Sequence, residues 1–483
     1  MMDNAVEARD QKRTIDPILN LPVNSLATSL CFVCPAKINA PATKIEPDIE
    51  TSGNTSYPDE KSAYFCEDDD SESDSDSDDN ELLFRSSSIS ITKTDSNTSI
   101  RGGRHLHRVL NDRFLASCHQ DGEALLWDLN RQKNVARIAA PRGGSGLCVR
   151  RTDDPSQIMV QTRDPKGIVS LHSIERCRPI VGSHGIGSDS DTTSNHVRQY
   201  ETHSQTFCRA APCYGNKHLL ALPSDDESTV TVVDNRSNSS VATYSVPGHG
   251  MLTSLGLAVT DHERGYASHN PILACGMENG TAVFFDITSG SAKPVASESS
   301  FSLGKDPILT LDLLPSFSRS IVATHENCPP SFPITSSSNA LLVAAGMAGD
   351  AEEVSELSED EAGRAVLFKA FCRGDSTSSP AWTFKQRKRF STCRVDRDGF
   401  NGKPGVSSCK FRPGDGRLLA IGGWDRRIRL FERSTGKPMA ILKGNVGSVA
   451  DLDWAPDSMK SGLLASACRG EKSISIWQCY AKR

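Results

Sequence analysis

One pattern recurs along this chain and limits its fold more than any other feature. A short apolar segment of small residues ends in a turn that contains Gly, Asp or Asn, and a second apolar segment follows it. The clearest copies are Leu418–Asp425 with Ile428–Glu432, and Leu463–Gly470 with Ile474–Gln478. Short apolar runs bounded by such residues are typical of strands, and Asp-Gly or Asn-Gly pairs favour tight hairpins because both residues accept positive φ. The pattern therefore predicts repeated antiparallel hairpins.

Seven copies of this unit can be counted from the residue that closes each second segment. These closing positions are Trp127, His172, Val233, Phe285, Phe368, Phe431 and Trp477. The shortest intervals between them are 45 and 46 residues, and the longer intervals contain polar inserts. A period of about 40–45 residues with four strands per unit is typical of WD repeats. Seven units predict an all-β fold, a seven-bladed WD-repeat β-propeller over residues 15–480.

Each unit should begin with an inner strand that lines the centre of the ring. The candidates are Ser145–Arg151, Thr206–Cys213, Leu252–Val259, Ile308–Leu314, Val406–Phe411 and Val449–Trp454. The pattern of the last unit stops near Tyr480, which leaves that unit without an outer strand and with an open sheet edge. We expect Pro17–Val23 to supply this strand and close the ring, and Leu26–Val33 to be the inner strand of the first blade.

Polar stretches interrupt the repeats. Residues 36–103 are predicted to be a disordered acidic insert within the first blade, and residues 350–362 an acidic insert within the fifth. Residues 183–198 and 316–338 are predicted to be surface loops, and residues 1–14 a flexible tail. Such compositions bury too little apolar surface to offset the entropy lost on ordering.

The acidity of the chain is concentrated in one of these inserts. The formal net charge is −6, and residues 67–81 alone carry ten acidic groups and no basic one. The rest of the chain is near neutral, so we expect no direct nucleic-acid partner. Ser71, Ser73 and Ser75 each precede an Asp by three residues, which makes them candidate sites for acid-directed kinases. A solvated loop and a contact with histones or another basic partner are the alternatives.

The sequence contains no motif of a catalytic, metal or cofactor site. It has no phosphate-binding loop, no dinucleotide fingerprint, no HExxH and no GxSxG. Cys31 and Cys34 form a CxxC pair with no second pair near it, so core or edge cysteines are favoured over a zinc site, and the same holds for Cys208 and Cys213. His249 follows Gly248 before an inner strand, where a structural hydrogen bond is the expected role. We therefore expect no enzyme activity and no cofactor.

Two further features concern the compartment. The sequence has no run of 18 apolar residues and no apolar signal region near its start, so neither a membrane span nor export is expected. The fifteen cysteines are then expected to be reduced.

A basic cluster is formed by Lys385, Arg387, Lys388 and Arg389. It fits a nuclear-import signal, a patch for an acidic partner, or a solvated outer strand.

The C-terminal stretch resembles a known WD-repeat family. Ala420–Phe431 (AIGGWDRRIRLF), Gly436–Leu442 and Ser473–Tyr480 resemble the ASTRA-associated protein 1 family, also described as G-protein β-subunit-like protein 1. The resemblance implies a non-enzymatic subunit of nucleus and cytoplasm. It implies protein partners from a chromatin-regulating assembly and from the co-chaperone machinery that matures phosphatidylinositol-3-kinase-related kinases. The propeller is expected to be a monomer within such a hetero-complex.

Trp424, Asp425, Arg426 and Arg427 are the candidate partner-binding residues. In a WD propeller the turn between second and third strands lies on one rim, and Trp flanked by Arg is typical of a binding hot spot. Alternatively, Asp425 closes the turn by local hydrogen bonds and Trp424 packs on a neighbouring blade. A G-protein-β-like signalling scaffold, a histone-binding propeller and a propeller enzyme are rival functions. The first needs an N-terminal coiled coil, and residues 1–20 show no heptads.

Overall fold

The computed structural model describes fifteen ranges of the chain. They are 14–15, 17–23, 25–33, 114–139, 144–163, 166–174, 178–179, 196–260, 270–287, 300–315, 340–349, 364–373, 381–390, 405–456 and 462–479. All of them belong to one compact unit. The predicted inserts at 36–103 and 350–362, and the candidate phosphosites Ser71, Ser73 and Ser75, lie outside these ranges and stay predictions.

The described ranges contain thirty strands. The N-terminal pair is β1 (Thr14–Ile15) and β2 (Leu19–Pro22). The first blade contains β3 (Ala27–Val33), β4 (Phe114–His119), β5 (Ala124–Asp128) and β6 (Lys133–Ala139). The second contains β7 (Ser145–Arg151), β8 (Gln157–Arg163), β9 (Ile168–Ser173) and β11 (His196–Glu201). The short strand β10 (Arg178–Pro179) pairs with β6 at the outer edge of the first blade. The third contains β12 (Ala211–Pro212), β13 (Leu219–Pro223), β14 (Thr229–Asp234) and β15 (Ser239–Ser245).

The remaining blades follow in chain order. The fourth contains β16 (Leu252–Thr260), β17 (Asn270–Met277), β18 (Thr281–Asp286) and β19 (Ser300–Ser302). The fifth contains β20 (Ile308–Pro315), β21 (Ala340–Met347), β22 (Ala365–Arg373) and β23 (Ala381–Phe390). The sixth contains β24 (Val406–Phe411), β25 (Leu418–Gly423), β26 (Ile428–Glu432) and β27 (Pro438–Leu442). The seventh contains β28 (Val449–Trp454), β29 (Leu463–Cys468) and β30 (Ser473–Gln478).

These strands form seven sheets, antiparallel except where β1 joins the sixth, and the fold is a seven-bladed β-propeller, as predicted. Within the first six blades the strands pair in chain order from the inner to the outer one, and in the seventh β28, β29 and β30 do so. All seven closing positions lie on third strands. No helix occurs in the described ranges, and so none there has the length and hydrophobicity that a membrane crossing requires.

The N-terminal segment closes the ring, as predicted. β2 pairs antiparallel with β30 of the seventh blade, with Leu19 opposite Ile476 and Leu21 opposite Ile474. Leu21 is fully buried, in a cluster that also contains Phe32 of the first blade. The start of the chain therefore completes the last sheet and packs against the next one.

Three details differ from the sequence predictions. β1 pairs in parallel with β27 of the sixth blade and begins at Thr14, one residue inside the predicted tail, because a two-residue strand leaves no periodic signal. β11 begins within the predicted loop 183–198. Of the predicted inner strand Thr206–Cys213 only Ala211–Pro212 is a strand, because side-chain hydrogen bonds hold residues 202–210 in a loop.

The inner strands surround a central channel. A cavity of about 230 Å³ in this channel is lined by residues of all seven blades, from Cys31 of the first to Asp453 of the seventh. We name the face where the inner strands begin the upper face. Turns between second and third strands lie on this face, because Ser145 at the start of β7 pairs with Arg163 at the end of β8. The turn that contains Trp424–Arg427 is one of them.

Candidate functional site

The turn between β25 and β26 is closed by Asp425. Its carboxylate accepts hydrogen bonds from both terminal nitrogens of Arg429, at 3.1 and 2.6 Å, and from the backbone N–H of Arg427 at 3.3 Å. The Arg429 side chain is only 8% exposed. Arg426 adopts a φ of 67°, which turns the chain back into β26. Asp425 therefore has the local, turn-closing role that was one of the two sequence interpretations.

Trp424 is half-buried, whereas a tryptophan that acts as a binding hot spot would be exposed to solvent. Its backbone N–H donates to the carbonyl oxygen of Gly405 at 2.9 Å, and its ring lies over Gly405, where a Cβ would overlap the indole. Its indole Nε1 is buried and has no hydrogen-bond partner among the described residues. The ring thus rests on the segment that leads into its own blade.

Arg426 joins the turn to the connector of the next blade. Its Nη1 donates to the carbonyl oxygen of Val446 at 3.4 Å, and the side chain of Asn445 donates to the carbonyl oxygen of Arg426 at 3.3 Å. Val446 is 68% exposed. The candidate residues therefore form a continuous surface with the connector between the sixth and seventh blades.

Replacing Asp425 by Ala should lower the free energy of unfolding by about 1–3 kcal/mol, because the buried guanidinium of Arg429 loses both of its acceptors. The midpoint of urea unfolding measures this loss. The double variant D425A/R429M removes both partners and should recover part of the stability. A D425A protein as stable as the parent would contradict the turn-closing role.

A second polar centre lies in the channel, and the sequence reasoning missed it. Asp451 of β28 is fully buried and accepts hydrogen bonds from the Ser29 hydroxyl of the first blade at 2.5 Å and from Arg150 of the second at 2.6 Å. Arg209 of the third blade lies 3.1 Å away, and the Ser408 hydroxyl of the sixth donates at 3.2 Å. One carboxylate therefore joins the inner edges of five blades.

The electrostatics of this centre favour the ionised carboxylate. Burial alone would raise the pKa of Asp451, but the positive charges of Arg150 and Arg209 and the hydroxyl of Ser29 hold it well below its usual range. Asp453, two residues further along β28, accepts the backbone N–H of Phe32 at 2.8 Å, and its burial raises its pKa. The alternation of Asp with apolar residues in Val449–Trp454 was the only sequence signal for this centre.

Buried side chains brace the first and last blades in the same way. The indole N–H of Trp127 donates to Ser117 Oγ at 2.7 Å, and this oxygen also contacts His119 Nε2 at 2.7 Å. The indole N–H of Trp477 donates to Ser466 Oγ at 2.9 Å. A closing tryptophan thus holds the second strand of its own blade.

The remaining predicted groups have structural positions. His249 Nδ1 lies 3.2 Å from the side chain of Asn279, which is the structural contact that the sequence suggested. Cys31, Cys208 and Cys213 are buried, and burial raises the pKa of each thiol, that of Cys213 to about 12. Cys34 lies outside the described residues. The described residues contain no group of three or more His, Cys, Asp or Glu that could hold a metal ion.

The basic cluster lies on the outer strand of the fifth blade. Lys385 is exposed there, Lys388 donates to the carbonyl oxygen of Thr435 at 2.9 Å, and Arg389 donates to that of Leu303 at 2.6 Å. The side chain of Arg387 lies outside the described part of the structure. Two of these cations therefore brace neighbouring segments on a solvated outer strand.

Comparison with known proteins identified a relative that spans most of the chain. No family model matches the chain. Over 372 residues it is 23% identical to the mouse guanine nucleotide-binding protein subunit beta-like protein 1, which covers 76% of this chain and 88% of the relative. The chain is therefore similar to a G-protein-β-like WD-repeat protein. A 57-residue stretch, 12% of this chain and 11% of the relative, is 37% identical to ribosome assembly protein 4 of Chaetomium thermophilum.

Two solved structures are also similar. The β-propeller domain of Cps50 (Swd1) from Myceliophteria thermophila superimposes with a TM-score of 0.49 at 15% identity, covering 76% of this chain and 93% of that domain. A chain of the mitotic checkpoint complex gives a TM-score of 0.48 at 12% identity, covering 77% and 85%.

Proposed function

We propose that this chain is a non-enzymatic scaffold that docks protein subunits of a co-chaperone or chromatin complex. The observation that carries the proposal is the upper-face surface formed by the Trp424–Arg427 turn and Val446, where cationic and apolar side chains lie together on a rigid ring. Arginine and tryptophan are enriched among protein-binding hot spots. The resemblance of the C-terminal stretch to the ASTRA-associated protein 1 family supports a co-chaperone or chromatin complex as the assembly to which the chain belongs.

The interior of the ring supports a structural role for its polar groups. Asp451 is saturated with donors, and Asp312 pairs with Lys410 at 3.0 Å in the same channel. A general acid or base needs a free site for substrate next to it, and Asp451 is not among the residues that line the channel cavity. The proposed scaffold acts in nucleus and cytoplasm. Phosphorylation of Ser71, Ser73 and Ser75 would increase the negative charge of the first insert.

Affinity purification of the tagged full chain, followed by mass spectrometry, tests this proposal. It should recover large kinase-related polypeptides together with their co-chaperones. With the double variant R426E/R427E, the amount of these partners that is recovered should fall at least tenfold, because the charge of the cationic edge of the surface is reversed. Lys385→Glu, a single reversal of charge on the outer strand of the fifth blade, should keep them. Recovery of only heterotrimeric G-protein subunits would defeat the proposal.

The name of the mouse relative favours a G-protein-β-like signalling scaffold as the second candidate. A γ-type partner would bind through an N-terminal coiled coil. In this chain Thr14–Ile15 and Leu19–Pro22 are already strands of the sixth and seventh blades. That use of the N-terminal segment makes the partner-docking scaffold the better supported function.

A further inference from the structure

The third blade ends in an outer strand that no other described strand covers. β15 is the last strand of its sheet, and its register with β14 skips Val241, which is 46% exposed. The seven residues of β15 include no charged residue and no proline. An uncharged edge of this length is open to pairing with another chain, and natural proteins normally guard such edges. β15 is therefore an unguarded sheet edge.

The other outer edges that the structure describes are guarded. β10 covers β6 of the first blade, and β1 covers β27 of the sixth. Charged residues lie on β11 of the second blade and β23 of the fifth, among them Arg198, Glu201, Lys385 and Lys388. β19 of the fourth blade has only three residues, and β2, which completes the seventh, has four and ends at Pro22. The open edge is thus a property of the third blade.

Main-chain groups of β15 point away from its sheet at alternate residues. The Ser224 N–H donates to the carbonyl oxygen of Thr229 at 3.0 Å, so the main chain of Thr229 is directed toward β13. Its partner in the register, Ser245, therefore turns its own N–H and C=O groups toward the open edge. The same alternation applies two residues earlier, at Thr243 opposite Thr231. The edge thus offers donors and acceptors at the spacing of a β-ladder, and no described strand pairs with them.

A row of hydroxyl groups crosses the same blade and ends at this edge. Ser224 Oγ lies 3.0 Å from Thr231 Oγ1, and Thr231 Oγ1 lies 3.4 Å from Thr243 Oγ1. Thr243 is exposed and is the outermost member of the row. Ser and Thr residues that face each other across neighbouring strands stabilise the pair of strands by such contacts. A further strand with Ser or Thr opposite Thr243 would extend the row.

The opposite face of β15 is apolar and anchors the strand. Tyr244 is fully buried, and the centre of its ring lies 4.6 Å from that of Phe285 in the fourth blade. Ala242 packs against the same apolar cluster. β15 therefore alternates between a hydroxyl face and an apolar face, and its packing holds it in place as a template. Successive side chains of an added strand would alternate between the same two faces.

We propose that β15 binds an extended segment of a partner protein, which joins the third blade as a fifth strand and alternates Ser or Thr with aliphatic residues. The inference rests on the proposed scaffold function and gives it a second docking surface, on the outer circumference of the ring. Affinity comes from the main-chain ladder, and the alternating side chains supply the specificity.

The chemistry of the edge selects this kind of occupant. An extended polypeptide offers N–H and C=O groups in the matching order, whereas a helix has already paired its own. β10 on β6 and β1 on β27 show that outer strands of this ring accept one short strand from a distant part of the chain. A single segment is therefore sufficient, and a second propeller is not required.

Fluorescence anisotropy of the full chain with a labelled peptide tests the proposal. The probe is a fluorescein-labelled peptide of nine residues in which Thr and Val alternate between two terminal glutamines. Thr243→Pro should weaken its binding at least tenfold, because the change removes an outward N–H that β14 does not use. Val241→Lys should weaken it about 3–10-fold, because pairing would bury the new charge. The lysine variant tests the edge even if the proline variant fails to fold.

The matched control is Val197→Lys. Val197 is 44% exposed and is skipped in the register of β11 as Val241 is in that of β15, but its strand carries charged residues. This change, and the double variant R426E/R427E on the upper face, should alter peptide binding less than twofold. A peptide of the same sequence that is N-methylated throughout keeps every side chain but has no main-chain donors, and it should not bind.

The remaining outcomes identify other occupants. Equal affinity of the parent, Thr243→Pro and Val241→Lys, or undiminished binding of the methylated peptide, would overturn the inference. A dimer in sedimentation velocity that Val241→Lys dissociates would overturn it in favour of a second copy. A gain in peptide affinity on deletion of residues 36–103 would overturn it in favour of the chain's own insert. If the peptide fails while purification still recovers co-chaperone subunits, the inference is wrong and the scaffold function stands.

Discussion

Replacing Asp451 by Ala should lower the free energy of unfolding by about 3–5 kcal/mol, the largest effect that we expect of any single side chain in this protein. The substitution leaves Arg150 and Arg209 in the channel without their shared carboxylate, and it removes the acceptor of Ser29. Truncating one partner of a buried ion pair costs much more than the pair contributes, because the remaining charge stays desolvated. Chemical unfolding followed by intrinsic tryptophan fluorescence measures the loss.

The pH dependence of this effect has a definite sign. The folded-state pKa of Asp451 lies below its unfolded value of about 4, so its stabilisation is complete above pH 4 and is lost as the pH falls further. The difference between the parent and D451A should therefore shrink below about pH 4. The control is Glu201→Ala, which breaks an exposed pair with Lys166 and should cost less than about 1 kcal/mol. An equal loss of unfolding free energy in the two variants would contradict the conclusion that the Asp451 carboxylate holds the inner edges of the blades together.

Deleting residues 14–23 should make the chain aggregate. The deletion removes β2, exposes the edge of β30, and uncovers the apolar cluster in which Leu21 is buried. Unpaired sheet edges promote pairing between chains. The milder variant Leu21→Ala should lower the free energy of unfolding by about 2–5 kcal/mol, because it leaves a cavity between the seventh and first blades. Size-exclusion chromatography reports the first result and urea unfolding the second.

The matched control is deletion of residues 2–13, which keeps both N-terminal strands and should leave the protein monomeric and as stable as the parent. A synthetic peptide of residues 14–26, added to the 14–23 deletion during refolding, should restore folded monomer by supplying the missing strand in trans. A 14–23 deletion that stays monomeric, with an unchanged unfolding midpoint, would show that the ring closes without this segment.

Most of the fold could be read from local patterns. The inner strands Val406–Phe411 and Val449–Trp454 have the predicted bounds, since each combines an apolar run with a proline shortly after its end. The prediction was wrong at Thr206–Cys213, where hydroxyl groups bond to one another and to neighbouring backbone in place of a ladder. Side-chain competition of this kind depends on three-dimensional neighbours, and a propensity argument does not contain them.

The site was less predictable than the fold. The composition of Trp424–Arg427 suggested an exposed hot spot, but the tryptophan rests on Gly405, nineteen positions before it, and the aspartate is held by Arg429. The 69% exposure of Phe207 has no sequence signal, because exposure of an aromatic residue is decided by how its loop is braced. Neither fact can be read from residue type.

The sequence by itself determined the number of blades, the strand order within each blade and the closure by the N-terminal segment, because hydrophobic alternation and turn residues are local properties that survive long inserts. Only the tertiary structure decided which polar residues meet. Asp451 and Ser29 are 422 positions apart, and Asp451 and Arg150 are 301 apart. Such separations leave no trace in local pattern, and the ring alone brings these groups within hydrogen-bonding distance.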